Sequence, residues 1–358
     1  MISVYFHIPF CTKKCPYCHF YVIPDEVRFH ELLREGLLLE WQRQKPLIAG
    51  KKIVSIYFGG GTPTLFGAEA IGEIIRLCGP LEDVEITVEA NPEESSKELF
   101  SALKSVGVNR ISLGVQSLDD RSLQTLERMH SAAKAKEAIF AAKEAGIENI
   151  SIDLMYDLPG QTESSWVYTL EQLKELPIQH LSLYNLTVEP HTSFYQRKVS
   201  QPKPEESLRF LHTALETLHI LGFHRYEISA FAKPNYESRH NLGYWTFRPF
   251  LGFGPSAFSY WEGERHQNVA NLQRYVRSLR EDQSPVTFRE TLPYPQNLKE
   301  QIAVGLRLTN GLILPQVPPE TEHAIESLIK QGLLEKKERV RLTERGKLFY
   351  DFVASELI

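Results

Sequence analysis

The sequence predicts an α/β fold: a partial (βα)6 TIM-like barrel followed by a C-terminal α+β extension that includes a winged-helix-like unit. Three observations predict it. Apolar, β-branched runs alternate with helical patterns over the first half of the chain, the signature of βα units and a parallel sheet. Polar or special residues recur at the carboxyl ends of those runs, where a barrel builds its site from several strands. A doubly wound sheet would gather them at one switch point instead. Near residue 200 the rhythm stops.

The predicted strands are ISVYFHI (2–8), IVSIYF (53–58), VEITVE (84–89), RISLGVQ (110–116), ISIDLMY (150–156) and HLSLYNL (180–186). Helical patterns lie between them at 29–42, 95–107, 133–146 and 162–176, and Gly107 and Gly146 close two of these in the C-cap manner. The cysteines follow the first strand, Gly59-Gly60-Gly61-Thr62-Pro63 the second, and Glu89-Ala90-Asn91-Pro92 ends the third. Gln116-Ser117 ends the fourth, Asp153 lies on the fifth, and Tyr184-Asn185 on the sixth. QPKPEES (201–207) reads as a linker, LRFLHTALETLHILG (208–222) as an amphipathic helix, and 240–261 as an aromatic, glycine-rich segment. The tail reads as helices, then a strand pair leading into a helix over 333–349. The expected units are therefore 1–200, 201–295 and 296–358.

Bulk properties exclude several classes. The 358 residues are 42% hydrophobic and 24% charged, with a formal net charge of −5. No overall basic field draws the chain to nucleic acid or acidic lipid. From Lys330 to Lys347 seven Lys and Arg face three acids, a small surplus for a DNA-reading wing. The segment MISVYFHIPF reads as a strand rather than a signal peptide. No apolar run approaches the roughly 18 residues of a membrane span. With only four cysteines, a disulfide framework is not expected, and a cytoplasmic, reducing setting suits them.

Three of those cysteines, Cys11, Cys15 and Cys18, fall in FHIPFCTKKCPYCHF (6–20). A structural zinc ion wants four ligands in a closed tetrahedron, which His7 or His19 would have to complete. A [4Fe–4S] cube held by three thiolates leaves one iron open to a ligand that is not protein. The glycines of GGGTP allow close backbone approach to a ligand. They are not a phosphate-binding P-loop, because the GK[ST] ending is missing. The fourth cysteine, Cys78, sits on a helical pattern and reads as a buried apolar residue.

Cys-x3-Cys-x2-Cys after the first strand, with GGGTP after the second, resembles the radical S-adenosylmethionine (SAM) superfamily. YFHIPFC, FGGGTPT, EANP, RISLGVQS, LERMH, DLMYDLPGQT and YEIS follow in the order seen in oxygen-independent coproporphyrinogen III oxidases and their haem-chaperone relatives. The likeness is dense over residues 2–260 and loose beyond. It implies a [4Fe–4S] cluster on Cys11, Cys15 and Cys18, with SAM chelating the open iron. It implies Tyr5 and Tyr17 beside the SAM site, Gly60, Gly61 and Thr62 at the methionine moiety, and Glu89 at the ribose. Gln116 and Asp153 would face the same cavity, and Arg128 would pair with the SAM carboxylate.

Two features separate the branches of this family. The oxidases typically continue the loop as Cys-Gly-Cys, whereas Phe20 stands where the extra cysteine would be. His240-Asn241-Leu242-Gly243-Tyr244-Trp245 matches the HNxxYW pattern associated with haem in the chaperones. An imidazole is a good axial ligand, and aromatics cover a macrocycle; a core loop whose histidine caps a turn is the plainer alternative for His240. His19, where the chaperones carry Asp, and Ser256 and Phe258, where they carry Gly and His, are departures. The resemblance implies a haem chaperone that passes haem to haem-requiring, respiratory proteins. A flavodoxin- or ferredoxin-type electron donor is implied, no nucleic-acid partner is expected, and peripheral membrane association stays open. The alternative is an oxidase that decarboxylates porphyrinogen propionates to vinyl groups.

Overall fold

The computed structural model describes residues 1–314 and 316–358. Six parallel strands form its centre: β1 (Ile2–Ile8), β2 (Ile53–Gly60), β3 (Glu85–Ala90), β4 (Arg110–Gln116), β5 (Asn149–Tyr156) and β6 (His180–Asn185). They lie side by side in chain order, each paired in parallel with the next. The barrel is open. The sheet runs on past β1 through Phe250–Phe253, Phe258–Trp261, Glu264–Asn268 and Val286–Thr291. Past β6 it ends with two short strands at Ala230–Ala232 and His224–Arg225. The strand Phe250–Phe253 pairs with β1 in parallel. The second half of the chain thus enlarges the sheet of the first.

Alternation along the strands sets the two faces. Val4, Phe6, Ile56, Phe58, Ile86, Val88, Ile111, Leu113, Ile150 and Ile152 are buried in the main apolar core with the helices. The intervening positions face the barrel interior, and most of them are polar. Cross-strand register lines them up: Ser3 beside Ser55, Tyr5 beside Tyr57, Tyr57 beside Thr87, Thr87 beside Arg110, Glu89 beside Ser112, and Asp153 beside Ser182. An ordinary TIM barrel fills this space with branched apolar side chains. Here it holds hydroxyls, carboxylates and a guanidinium.

Two expectations need correction. Pro204 opens a helix that runs to Ile220, so the linker before it is shorter than 201–207. A proline at the first helical position has no N–H to lose and a φ suited to the helix. The HNLGYW stretch is also not a loop: Arg239–Trp245 is helical, capped by Ser238, whose hydroxyl accepts from the Asn241 N–H. Toward the chain's end, Leu334–Lys336 and Val340–Leu342 pair antiparallel, and two helices follow. They pack on an apolar cluster of their own, which includes Ile302, Leu306, Ile325, Leu328 and Val353. Among the described residues, no helix is long and apolar enough to cross a membrane.

Candidate cofactor-binding site

The cysteine loop projects from the carboxyl end of β1. Phe10–Cys11 and Ile23–Pro24 pair as short parallel strands and pinch its base. The Gly61 and Thr62 N–H groups donate to the Ile8 and Phe10 carbonyls (2.9 and 2.7 Å), tying the loop to the GGGTP turn. Both GGGTP glycines at this point are needed by the backbone itself. Gly60 has φ +116°, and a Cβ on Gly61 would lie 2.4 Å from the Phe10 carbonyl oxygen.

Cys11, Cys15 and Cys18 are free, half-buried thiols on the wall of one cavity of about 470 Å³. Gly60, Gly61, Glu89, Asn91, Gln116, Arg128 and Asp153 share that wall with Tyr17. Burial pushes the Cys11 thiol up to about 11 and raises Cys18 as well, so a metal must displace their protons. Tyr17 is half-buried against Phe194. Thr62 is one layer back: its hydroxyl lies 3.7 Å from Cys11 Sγ and accepts from Asn91 Nδ2 at 2.8 Å. Gln116 takes a left-handed φ of +65° where β4 ends, a strained turn of the kind that gathers at sites.

Arg128 crosses the cavity wall. Its guanidinium donates to Asn91 Oδ1 (2.6 Å), the Gly114 carbonyl (3.0 Å) and Cys15 Sγ (3.3 Å). Glu93 lies 3.7 Å away, and His130, bonded to Glu93 and the Val115 carbonyl, anchors the same segment. Burial opposes the Arg128 charge, but the neighbouring Tyr17, Cys15 and Glu93 outweigh it and raise its pKa. Among the described residues its buried Nε has no partner. An unpaired donor of this kind is costly unless a ligand meets it.

Glu89 stands between this cavity and a second one. It accepts from Tyr57 Oη (2.8 Å) and the Gly60 N–H (3.2 Å). Protein surrounds it except at the two cavities, and that burial, with Asp153 nearby, pushes its carboxyl up to about 7. Burial likewise pushes Asp153 up to about 6. The second cavity, about 240 Å³, lies deeper in the barrel, between Tyr5, Tyr57, Arg110, Tyr184, His240 and Tyr244. Tyr5 therefore sits on the deeper cavity rather than in the wall of the outer one.

His240 is brought to this inner end and not to the cysteines. Its Nδ1 lies 3.0 Å from Ser55 Oγ and its Nε2 2.9 Å from Tyr244 Oη. It is 1% exposed, and burial, with Arg248 and Arg110, drives its pKa down to about 3. The ring is neutral with both nitrogens engaged, so iron coordination requires those bonds to break. His7 is similarly closed, bonded to Tyr5 Oη (3.1 Å) and the Tyr21 carbonyl (3.0 Å). That removes it as a fourth ligand for zinc in this conformation. His19 and Phe20 lie at the outer cavity's rim. Cys78 ends the helix Ala68–Leu77 and donates to the Ile74 carbonyl.

Three cysteines free of disulfides, an orphaned Arg128 nitrogen and a carboxylate share one cavity, residue types suited to a cube with one open iron. Among the described residues, no three His, Cys, Asp or Glu side chains are gathered closely enough to hold a metal ion. Sequence reasoning assigned no role to Asn91, Tyr57 or Arg110. Asn91 lay in a quoted motif. Tyr57 and Arg110 had the inward phase of their strands as a signal.

Comparison with known proteins adds the family. Residues 5–173 match the Radical SAM superfamily. The protein named heme chaperone HemW from Haemophilus influenzae is 34% identical, over 97% of this chain and 95% of its own. Those of Bacillus subtilis and Escherichia coli are 33% and 34% identical, over 97% of this chain and 97% and 96% of theirs. Among solved structures, coproporphyrinogen III oxidase (HemN) of Escherichia coli, a radical SAM enzyme, superposes with a TM-score of 0.86 at 25% identity. That match covers 99% of this chain and 89% of the oxidase.

Proposed function

Since the chain belongs to the heme chaperone HemW family of radical SAM proteins, we propose that it binds haem and delivers it to haem-requiring proteins. Family membership implies a [4Fe–4S] cluster and SAM. The observation that carries the haem reading is likeness to heme chaperones along nearly the whole length of both chains. Phe20, in place of the oxidases' additional cysteine, agrees with it. The fold likeness to the oxidase keeps porphyrinogen decarboxylation as the alternative reaction.

In this reading Cys11, Cys15 and Cys18 hold the cluster, and the bound cluster supplies an electron beside SAM. Arg128 offers its free Nε to the SAM carboxylate. Gly60 and Gly61 leave room for the methionine backbone, and Thr62 and Asn91 brace Cys11 and Arg128. Glu89 accepts from the ribose diol, with Tyr57 holding the carboxylate in place. Tyr17, Gln116 and Asp153 enclose the rest. Tyr5 stacks on Tyr57, which in turn bonds Glu89. We extend the reading to three working units, 1–200, 201–295 and 296–358, to a cytoplasmic site of action, and to a small electron-transfer protein as reductant.

The test pairs two measurements on anaerobically reconstituted protein. Haem titration is expected to give a saturable Soret band. Coproporphyrinogen III with SAM and a reductant is expected to stay unconverted on chromatography of the tetrapyrroles. SAM-dependent loss of two carboxyl groups would replace the chaperone reading with the oxidase one.

A further inference from the structure

A metal centre is tuned by the groups around its ligands as well as by the ligands themselves. For an iron–sulfur cluster, hydrogen bonds to the cysteine sulfurs are one of the levers that set the reduction potential. The three loop cysteines are not alike in this respect. Cys15 Sγ accepts from the Arg128 guanidinium at 3.3 Å. Cys11 Sγ has the neutral Thr62 hydroxyl at 3.7 Å. Among the described residues, Cys15 is the one loop cysteine whose sulfur accepts from a charged donor, and charge-assisted bonds are the stronger kind.

The Arg128 fork is divided among several partners. Nη1 reaches Cys15, Nη2 donates to Asn91 Oδ1 at 2.6 Å and to the Gly114 carbonyl at 3.0 Å, and Nε has no partner among the described residues. Glu93, 3.7 Å away, balances part of its charge. A planar guanidinium spans such a set, and the point charge of a lysine does not. The two Nη2 acceptors belong to the barrel rather than to the cysteine loop. Asn91 directly follows β3, and Gly114 lies on β4. Asn91 is fixed in turn by Thr62, whose hydroxyl accepts from its Nδ2 at 2.8 Å. Asn91 therefore decides which way the fork points. Its side-chain carbonyl holds Nη2, and the rigid plane then sets Nη1 toward Cys15 and Nε toward the cavity.

We propose that Arg128 tunes the cluster through Cys15, and that Asn91 is the positioning residue that keeps the guanidinium in reach of both the thiolate and the SAM carboxylate. This rests on the reading of Cys11, Cys15 and Cys18 as cluster ligands and deepens it. A donor on the sulfur favours the reduced, more negative cluster, so the bond raises the reduction potential. The electron comes from the external one-electron reductant. Arg128 stays charged throughout, and no bond or proton changes hands at it.

The test is a mediated redox titration of anaerobically reconstituted, full-length protein without SAM, read by the electron-paramagnetic-resonance signal of the reduced cluster. Asn91→Ala leaves the net charge as it is. It is expected to lower the midpoint potential by about 59 mV, a tenfold change in a one-electron equilibrium, and to weaken SAM binding about tenfold. Arg128→Lys also keeps the charge and is expected to shift the potential the same way, because one ammonium does not serve both Asn91 and Cys15. Asn91→Asp restores an acceptor for Nη2 and is expected to return SAM affinity toward the wild-type value. Iron and sulfide assays check that each variant still holds its cluster. A wild-type potential in Asn91→Ala overturns the proposal, and so does an Asn91→Asp protein that binds SAM as weakly as Asn91→Ala. Where Asn91→Ala holds no cluster, Arg128→Lys decides, and an unchanged potential there overturns it. Loss of the cluster in both variants also overturns it, because the pair would then hold the loop rather than tune it. A wild-type protein that gains no cluster overturns the cluster reading instead.

Discussion

The two ends of the barrel are built to opposite specifications. At the carboxyl end, thiols, an orphaned guanidinium nitrogen and a pocket rim of exposed His19 and Phe20 leave bonds to be made. At the amino end, the helix Arg239–Trp245 closes the barrel with many of its bonds already made, while Trp245 Nε1, Arg110 Nε and Arg307 Nε stay buried without partners among the described residues. Glu85 accepts from the Arg239 and His240 N–H groups (2.9 and 3.0 Å). His240 joins Ser55 to Tyr244, and Arg248 donates to Ser3 Oγ. Arg307, stacked 4.3 Å over Trp245, ties this end to the C-terminal unit. The lesson is that an unmet buried group marks a ligand site only where an open cavity and free thiols accompany it, as at Arg128, whereas the unmet nitrogens of Arg110 and Trp245 sit on a floor otherwise held by met groups.

The largest break in that contrast is expected from the open end. Replacing Cys11, Cys15 or Cys18 with Ser should reduce bound iron from about four per chain to near none, measured after anaerobic reconstitution. Retained iron in all three variants would dismiss the cube.

Glu89→Ala sharpens the picture without dismantling the cluster. Loss of a charged hydrogen bond costs about 1.5–3 kcal/mol, a ten- to hundred-fold drop in SAM affinity, readable by equilibrium binding. The same carboxylate sets a pH dependence. Its pKa, held up near 7 by burial, means that it is largely protonated at pH 6 and ionised at pH 8. An ionised carboxylate accepts from both ribose hydroxyls, so SAM should bind more tightly at pH 8 than at pH 6. Glu89→Gln should flatten that profile, and a profile that keeps its slope in this variant would assign the titration elsewhere.

At the closed end, Glu85→Ala leaves two N–H groups of the Arg239–Trp245 helix without acceptors. It should cost about 1–3 kcal/mol of stability, measured by denaturant unfolding, with iron content unchanged. An equal loss of iron would mean that the two ends are coupled. The smallest effect is expected from Cys78→Ser. That thiol makes one weak bond to its own helix, and its replacement should leave cluster content as it was.

Much of this was legible in the chain. The cysteine spacing, GGGTP and EANP sit beside one another in the folded site because each follows a strand, and neighbouring parallel strands present their ends together. The strand phase was equally visible: Ser3, Tyr5 and His7 alternate with Val4 and Phe6. Local chemistry of this kind is written in runs of a few residues, and so are the strands and helices that carry it.

What tertiary structure alone decided was which distant groups meet. Nothing local in HNLGYW says that it forms a helix, or that His240 closes on Ser55, 185 residues earlier. Nothing in residues 250–253 announces a parallel pairing with β1. An exposed imidazole and a buried, doubly bonded one are the same letter in a sequence, where only the HNxxYW motif sets His240 apart from His19. Folding separates them, because burial takes one ring out of water and fills both of its nitrogens while the other keeps an open rim. The chain by itself determined a radical SAM barrel with a three-thiolate loop; long-range packing decided which of its polar groups remain free to bind.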